Sequence, residues 1–325
     1  MAQALGIRWR RQAHVNMGIW RLTVLIGLTL LSGAPAQSLL DSVRTNNATS
    51  LIGKRFDPWD GPPRGPYAPL SPGDADLGEQ RVLTTLEDYQ PFNFLLTEQA
   101  VWTDNAALTE NAELSDFYSN TGLRLSYVPL IAANTYGEIS AGYSFYRYAD
   151  YSTLDFDDLE ASLGLIHVFR DLSDLSFWLR YNYTRLLTAR DHSELFTDHS
   201  LQLGLYFPIS LGPRHLAFGS YRSEFSLDGN PGYASRNEHG ITVGHEYKPI
   251  DRISLASYYQ IFLHDYREGG RDDVLQDLGI ALTTHLTDNI DLVLSASYSW
   301  NDSNERGRDY EAGDAGAILS LNIDF

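Results

Sequence analysis

The chain has 325 residues, with 24 lysines and arginines against 42 aspartates and glutamates, for a net charge of −18. That balance argues against nucleic-acid binding, which needs clustered basic side chains to neutralise phosphates. There is no cysteine, so neither a disulfide framework nor a lipid anchor on an N-terminal cysteine is available.

Residues 1–36 read as a signal peptide. Arg8, Arg10, Arg11 and Arg21 precede the apolar run 22–31, and Ala34-Pro-Ala36 supplies the small residues of a cleavage site. The run is too short for a helix to cross a bilayer, which takes about 20 residues. Met17 is an alternative start, since 17–21 already makes a compact charged segment. The paired Arg10-Arg11 hints at a twin-arginine route, but its distance from the apolar run favours the general secretory one. Removing residues 1–36 takes away four of the 24 basic residues and no acid, which leaves 20 against 42, net −22.

Residues 37–90 form a second region. The stretch 56–73 carries six prolines and three glycines, which disfavours regular structure. The expectation is an extended periplasmic arm able to meet a periplasmic partner. A short plug inside a lumen and plain disorder are the other readings.

From residue 91 the pattern is alternation. In 135–145, Gly137, Ile139, Ala141, Tyr143 and Phe145 share one face; Glu138, Ser140, Gly142 and Ser144 share the other. Period two is a strand with one apolar and one polar face. Twelve such segments follow: 91–103, 116–128, 135–148, 156–168, 174–187, 197–208, 214–226, 237–248, 252–266, 274–286, 289–301 and 313–325. Glu98 breaks whichever register is chosen for the first. Each segment suits a tilted strand crossing a membrane, which takes about 9–11 residues. After residue 36 no run of eighteen apolar residues exists for a spanning helix.

The connectors set the topology. Five are tight or proline-marked (129–134, 170–174, 209–213, 249–251, 287–289). Six are mostly longer and acidic (104–116, 150–155, 188–196, 228–236, 267–273, 301–312). Short turns on the side of both termini and longer loops opposite are the arrangement of an outer-membrane barrel. A soluble sandwich also alternates, but its strands run about five or six residues. The fold class expected is therefore all-β, a closed antiparallel transmembrane β-barrel of about twelve strands over 91–325, with an irregular N-terminal extension. Tyr127, Tyr143, Phe145, Tyr181, Tyr183, Phe207, Tyr247, Tyr259, Tyr298, Trp300 and Phe325 fall on outward faces, as aromatic girdles do.

The final segment Ala317-Ile-Leu-Ser-Leu-Asn-Ile-Asp-Phe325 resembles the closing strand of Gram-negative outer-membrane β-barrel proteins. The likeness covers 91–325 in architecture, is porin-like, and singles out no subfamily. It implies that Leu321, Ile323 and Phe325 are read by the barrel-assembly machinery, and that the surroundings are outer-membrane lipids and lipopolysaccharide. More loosely, the chain is similar to barrel porins of unassigned substrate, some of which accompany exopolysaccharide export.

On these registers Arg124, Arg180, Arg222, Glu138, Glu160, Glu224, Glu246, Asp277 and Asp291 point inward and are the candidate pore-lining residues. They either set a field across the lumen or pair and block it, since buried charge is costly unless paired. Inward glycines (Gly122, Gly142, Gly164, Gly204, Gly244, Gly279, Gly316) leave room for Tyr146, Tyr206 and Tyr258 or allow curvature. Resemblance to twelve-strand porins for acidic sugars would imply arginine tracks. Three inward arginines against six acids do not fit that pattern, and cation preference is expected of any conducting path.

Some twelve-strand barrels hydrolyse lipids, which requires a nucleophile, a histidine base and a partner near the outer leaflet. His199 and Ser200 are neighbours on one strand and face opposite ways; His192-Ser193 and Ser235 with His239 lie at loops. No catalytic residue, cofactor or metal site is assigned. Asp150, Asp155, Asp157 and Asp158 could at most attract Ca²⁺ loosely, or join lipopolysaccharide through divalent cations. The leading function is a narrow channel for small hydrophilic solutes or cations. The alternatives are a non-conducting barrel that anchors partners, an accessory of exopolysaccharide export and, as a minor option, a lipid hydrolase.

Overall fold

The computed structural model describes residues 90–111 and 113–325; the signal segment and nearly all of the arm expected at 37–90 lie outside the described residues. All thirteen strands belong to one sheet: β1 (Phe92–Thr103), β2 (Asp116–Tyr127), β3 (Leu130–Ala132), β4 (Thr135–Tyr148), β5 (Phe156–Phe169), β6 (Leu175–Thr188), β7 (Glu194–Gly212), β8 (His215–Asn230), β9 (Arg236–Ile250), β10 (Ile253–Tyr266), β11 (Asp272–His285), β12 (Ile290–Ser303) and β13 (Tyr310–Asp324). Each pairs antiparallel with its neighbour, β1 pairs with β13, and β2 pairs with β4, so the sheet closes as a barrel of twelve staves. The small strand β3 lies in a proline-marked connector read from sequence as a turn and adds to the start of β4.

Every expected segment is a strand. Five of the six long-side loops are shorter than expected because the ladder runs past the alternating core. β8 continues to Asn230 and β13 begins at Tyr310, where glycine, asparagine and acidic residues interrupt the period-two signal. The six connectors on one side, 104–115, 149–155, 189–193, 231–235, 267–271 and 304–309, mark the external end by the usual asymmetry of such barrels.

The alternation sorts residues between two media. Leu125, Ile139, Leu163, Ile241, Val243, Ile280, Leu294 and Leu319 stand exposed on the outside, as side chains do that face acyl chains instead of water. Aromatic residues mark the ends of this band. At the turn end, Phe92 stacks on Tyr127 at 4.6 Å and on Phe325 at 5.6 Å. At the loop end, Tyr298 and Trp300 lie 6.0 Å apart.

Phe325 takes part in closure. Its amide donates to the Phe92 carbonyl and its carbonyl accepts from the Phe92 amide, both at 3.0 Å. Leu321 pairs with Leu96 and Ile323 with Phe94 across the same seam. The first strand's register is settled: Phe94, Leu96, Glu98 and Ala100 face outward, while Gln99, Val101 and Thr103 are buried inside.

Replacing Phe92 by alanine removes both stacks at the turn-end rim. Aromatic pairs contribute roughly 0.5–1.5 kcal/mol each beyond area burial, so Phe92→Ala should destabilise the barrel by about 1–3 kcal/mol. Urea unfolding in lipid vesicles, followed by tryptophan fluorescence, measures this; an unchanged midpoint would show that the seam does not depend on the stack.

Candidate functional site

All nine candidate residues sit at positions of inward parity, because the register shifts in β8, past Ser226, and in β9, past Tyr247, lie beyond the residues concerned. The arginines do not stand alone. Arg124 pairs with Glu160 at 2.5 Å, Arg180 with Glu138 at 2.5 Å, and Arg222 with Glu238. Glu238 also meets Arg236 at 3.1 Å and His264 at 3.4 Å, which makes it the hub of a buried cluster. These pairs satisfy the requirement that a charge removed from water keep a partner.

The remaining acids meet other groups. Glu224 accepts from Ser200 at 2.7 Å and Gln202 at 3.1 Å. Asp277 accepts from Gln260 at 2.9 Å and from the Tyr258 hydroxyl. Asp291 lies 2.7 Å from His285, and Glu246 lies 4.0 Å from Lys248. Sequence reasoning missed Glu238, Arg236 and Asp314. Glu238 has the same parity as Glu246 on β9, so alternation alone could have found it. Arg236 opens β9, just before the expected segment, and Asp314 lies in the glycine- and alanine-rich start of β13, where the pattern gives little.

The charges are segregated around the barrel. The arginine–glutamate pairs lie on β2 through β9. The contiguous strands β10, β11, β12, β13 and β1 contain no lysine or arginine. Facing inward on that wall are Asp277, Asp291 and Asp314, with Gln99, Gln260 and Ser320.

Along the axis the lumen is layered. At the loop end, Tyr118, Tyr146, Tyr148, Phe156, Leu186 and Phe196 turn inward and pack against Ala106, Leu154 and Ala234 from three different loops. Phe156 and Leu186 are 0% exposed there, so this layer is a dry seal. Asn105 pins the first loop: its side-chain amide donates to the carbonyls of Thr109 and Glu311 at 2.9 and 2.8 Å. The Asp116 carboxylate fixes the second by accepting from the Asp150 and Tyr151 amides. In the third long-side connector, outside the membrane, hydrogen bonds from Thr188 and then Ser193 hold the Asp191 carboxyl down at about 2.

Below the seal comes the charged layer. Near the turn end, Ile166, Trp178 and Tyr206 form an apolar patch on the wall made by β5, β6 and β7. Three of the inward glycines make room for aromatic rings. The Tyr258 ring lies over Gly279, and rings that the sequence reading did not name, Trp178 and Phe218, lie over Gly204 and Gly244. A side chain at any of the three would drive into the ring.

The residues weighed for lipid hydrolysis are not brought together. His199 contacts the Tyr181 hydroxyl on the outside, at 2.5 Å, while Ser200 bonds Glu224 inside. His239 contacts Ser223 at 2.8 Å, not Ser235. Ser223 is 1% exposed and so is covered against substrate. The acids weighed for loose Ca²⁺ binding are otherwise engaged: Asp155 accepts from the Tyr148 amide and Asp157 pairs with Arg147 at 2.6 Å. Among the described residues no group of three metal-ligating side chains occurs.

A closed antiparallel barrel with an apolar outer band, aromatic rims and a polar interior is a transmembrane β-barrel of the bacterial outer-membrane type. Solved structures share this architecture. An outer membrane channel from Pseudomonas putida F1 matches with a TM-score of 0.51 and 14% identity, over 73% of this chain and 98% of that one. The outer membrane channel DcaP of Acinetobacter baumannii matches at 0.41 and 11%, over 71% and 96%. The translocator domain of autotransporter NalP from Neisseria meningitidis matches at 0.41 and 12%, over 74% and 90%. Of the three, the Pseudomonas channel alone exceeds 0.5, and at that identity it shares the fold and nothing finer. No family model and no curated protein matches the chain.

Glu138 and Arg180 test the pairing inside the lumen, because their side chains are only 5% and 16% exposed. Arg180→Met strands a buried carboxylate and should cost about 3–5 kcal/mol. The double variant Glu138→Met/Arg180→Met should recover most of that loss in the same vesicle unfolding assay. A double variant as unstable as the single one would mean that the packing around Arg180 matters more than its charge.

Proposed function

We propose that this barrel is a narrow, cation-preferring channel for small hydrophilic solutes or ions, gated at its external mouth. One observation carries the reading: five adjacent strands hold no lysine or arginine, while the arginines across the lumen are already paired with glutamates. A solute in the lumen therefore meets a negative potential from the β10–β13 and β1 wall that no lysine or arginine on that wall offsets, and in a narrow low-dielectric passage such a potential selects cations. Inward Thr242, Thr283 and Ser295 remain partly exposed, which supports a wet path below the seal. Conduction then requires the apolar contacts of Ala106, Leu154 and Ala234 to part. The same seal favours a second reading, a barrel that never conducts and serves as an anchor.

Planar-bilayer recording separates the two. The channel reading expects small stepwise currents with cations more permeant than anions. Leu154→Asp, which puts a charge into the seal, should raise the open fraction; Asp277→Asn/Asp314→Asn should lower the cation preference severalfold while currents persist. Folding of each variant is checked by its heat-modifiable migration on a gel. Silence from both the natural chain and folded Leu154→Asp supports the anchor, and anion preference overturns the proposed lining.

A further inference from the structure

Glu98, which broke the alternation in the sequence, is a carboxylate on the lipid-facing side of the barrel. It lies six residues along β1 from Phe92 at the turn-end rim. At about 3.3 Å per residue and a tilt of about 40°, that is roughly 15 Å up, near the middle of the bilayer. Other outward acids, Asp157, Asp265 and Glu311, sit within two residues of the external ends of their strands. A carboxylate facing hydrocarbon at mid-depth is costly and marks a place where something other than lipid is met.

The surroundings indicate what that is. Thr121 on β2 donates to Glu98 Oε2 at 2.6 Å, which leaves Oε1 for a second donor that acyl chains cannot provide. Towards the loop end, the outward positions next to Glu98 are small. Ala100 pairs with Ala317 on β13 and with Ser119 on β2, and Ala315 pairs with Ala296 on β12. Elsewhere the band is mostly leucine, isoleucine and valine, and its other alanine pair, Ala141 with Ala161 on β4 and β5, has no carboxylate beside it. Within membranes, small side chains let two backbones approach, and hydroxyl and carboxyl groups supply hydrogen bonds across the contact.

We propose that this face, β12–β13–β1–β2, binds a second copy of the chain about a two-fold axis. The patch holds its own complement. Glu98 keeps an oxygen free to accept, the Ser119 hydroxyl two residues along β2 from Thr121 can donate, and a two-fold axis brings the acceptor of one copy against the donor of the other. The surface is independent of whether the lumen conducts.

The natural chain has no cysteine, so single-cysteine variants report proximity between copies directly. Ala100→Cys and Ala317→Cys, expressed in native membranes and oxidised with copper–phenanthroline, should each give a disulfide-linked dimer. Ile241→Cys, lipid-facing on β9, should not. Adding Glu98→Leu to Ala317→Cys should cut the dimer at least severalfold while the heat-modifiable monomer persists. Equal cross-linking at Ile241, absence of dimer at both alanine positions, or a dimer yield indifferent to Glu98→Leu overturns the proposal.

Discussion

A hydrocarbon layer offers no partner to a backbone amide or carbonyl, and that constraint organises the rest of this structure. Each unpaired group would cost several kcal/mol, so a sheet can cross a bilayer only if it has no edge. The chain meets the requirement at one seam, where β1 and β13 pair from Asn93–Asp324 up to Thr103–Asp314. Phe325 and Phe92 exchange backbone hydrogen bonds at its foot. Once the sheet is closed, side-chain parity divides every strand between lipid and lumen, and both the apolar band and the charged interior follow from that division.

A barrel of twelve strands encloses little space, and here large side chains fill part of it. Large aromatic rings enter where glycine gives way to them, as Trp178 does over Gly204 and Tyr258 over Gly279. The charged groups lie between apolar layers and are joined in pairs, which is how polar groups persist away from bulk water. The external seal differs from a loose covering loop. It is built from three loops, and two of them are anchored by specific hydrogen bonds from Asn105 and to Asp116. Parting it means exposing apolar surface, so any opening has to be stabilised by something that the closed state does not contain.

Alternation made the fold legible, because period two over ten or more residues has few solutions in a chain with an export-like start. It also sorted the charged residues between the two faces, since parity alone decides the face once register is fixed. What remained hidden depends on contacts between distant segments. The seal joins Ala106, Leu154 and Ala234, whose loops are separated by whole hairpins, and no local pattern marks them. The Glu238 hub needed a neighbour on β8 and one on β10. Glu98 broke whichever register was chosen for the first strand, which parity alone could not resolve; the ladder pairs it with Leu319 and Thr121 on the lipid side. The strand ends were placed short because glycine, asparagine and acidic residues there, as in Asp228–Asn230 and Glu311–Asp314, interrupt the polarity difference on which alternation relies.

On the two proposals above, the wall without lysine or arginine is used on both of its surfaces. Inward it presents Asp277, Asp291 and Asp314; outward, on the same strands, it presents Glu98 and a patch of alanines. Adjacent residues such as Glu98 and Gln99 are one bond apart in sequence yet face different media, so selection on one face leaves the other nearly untouched. That separation lets a single stretch of sheet set the potential of a lumen and hold an association surface without conflict. It also means that a change in either property can be traced by parity to one face of the wall.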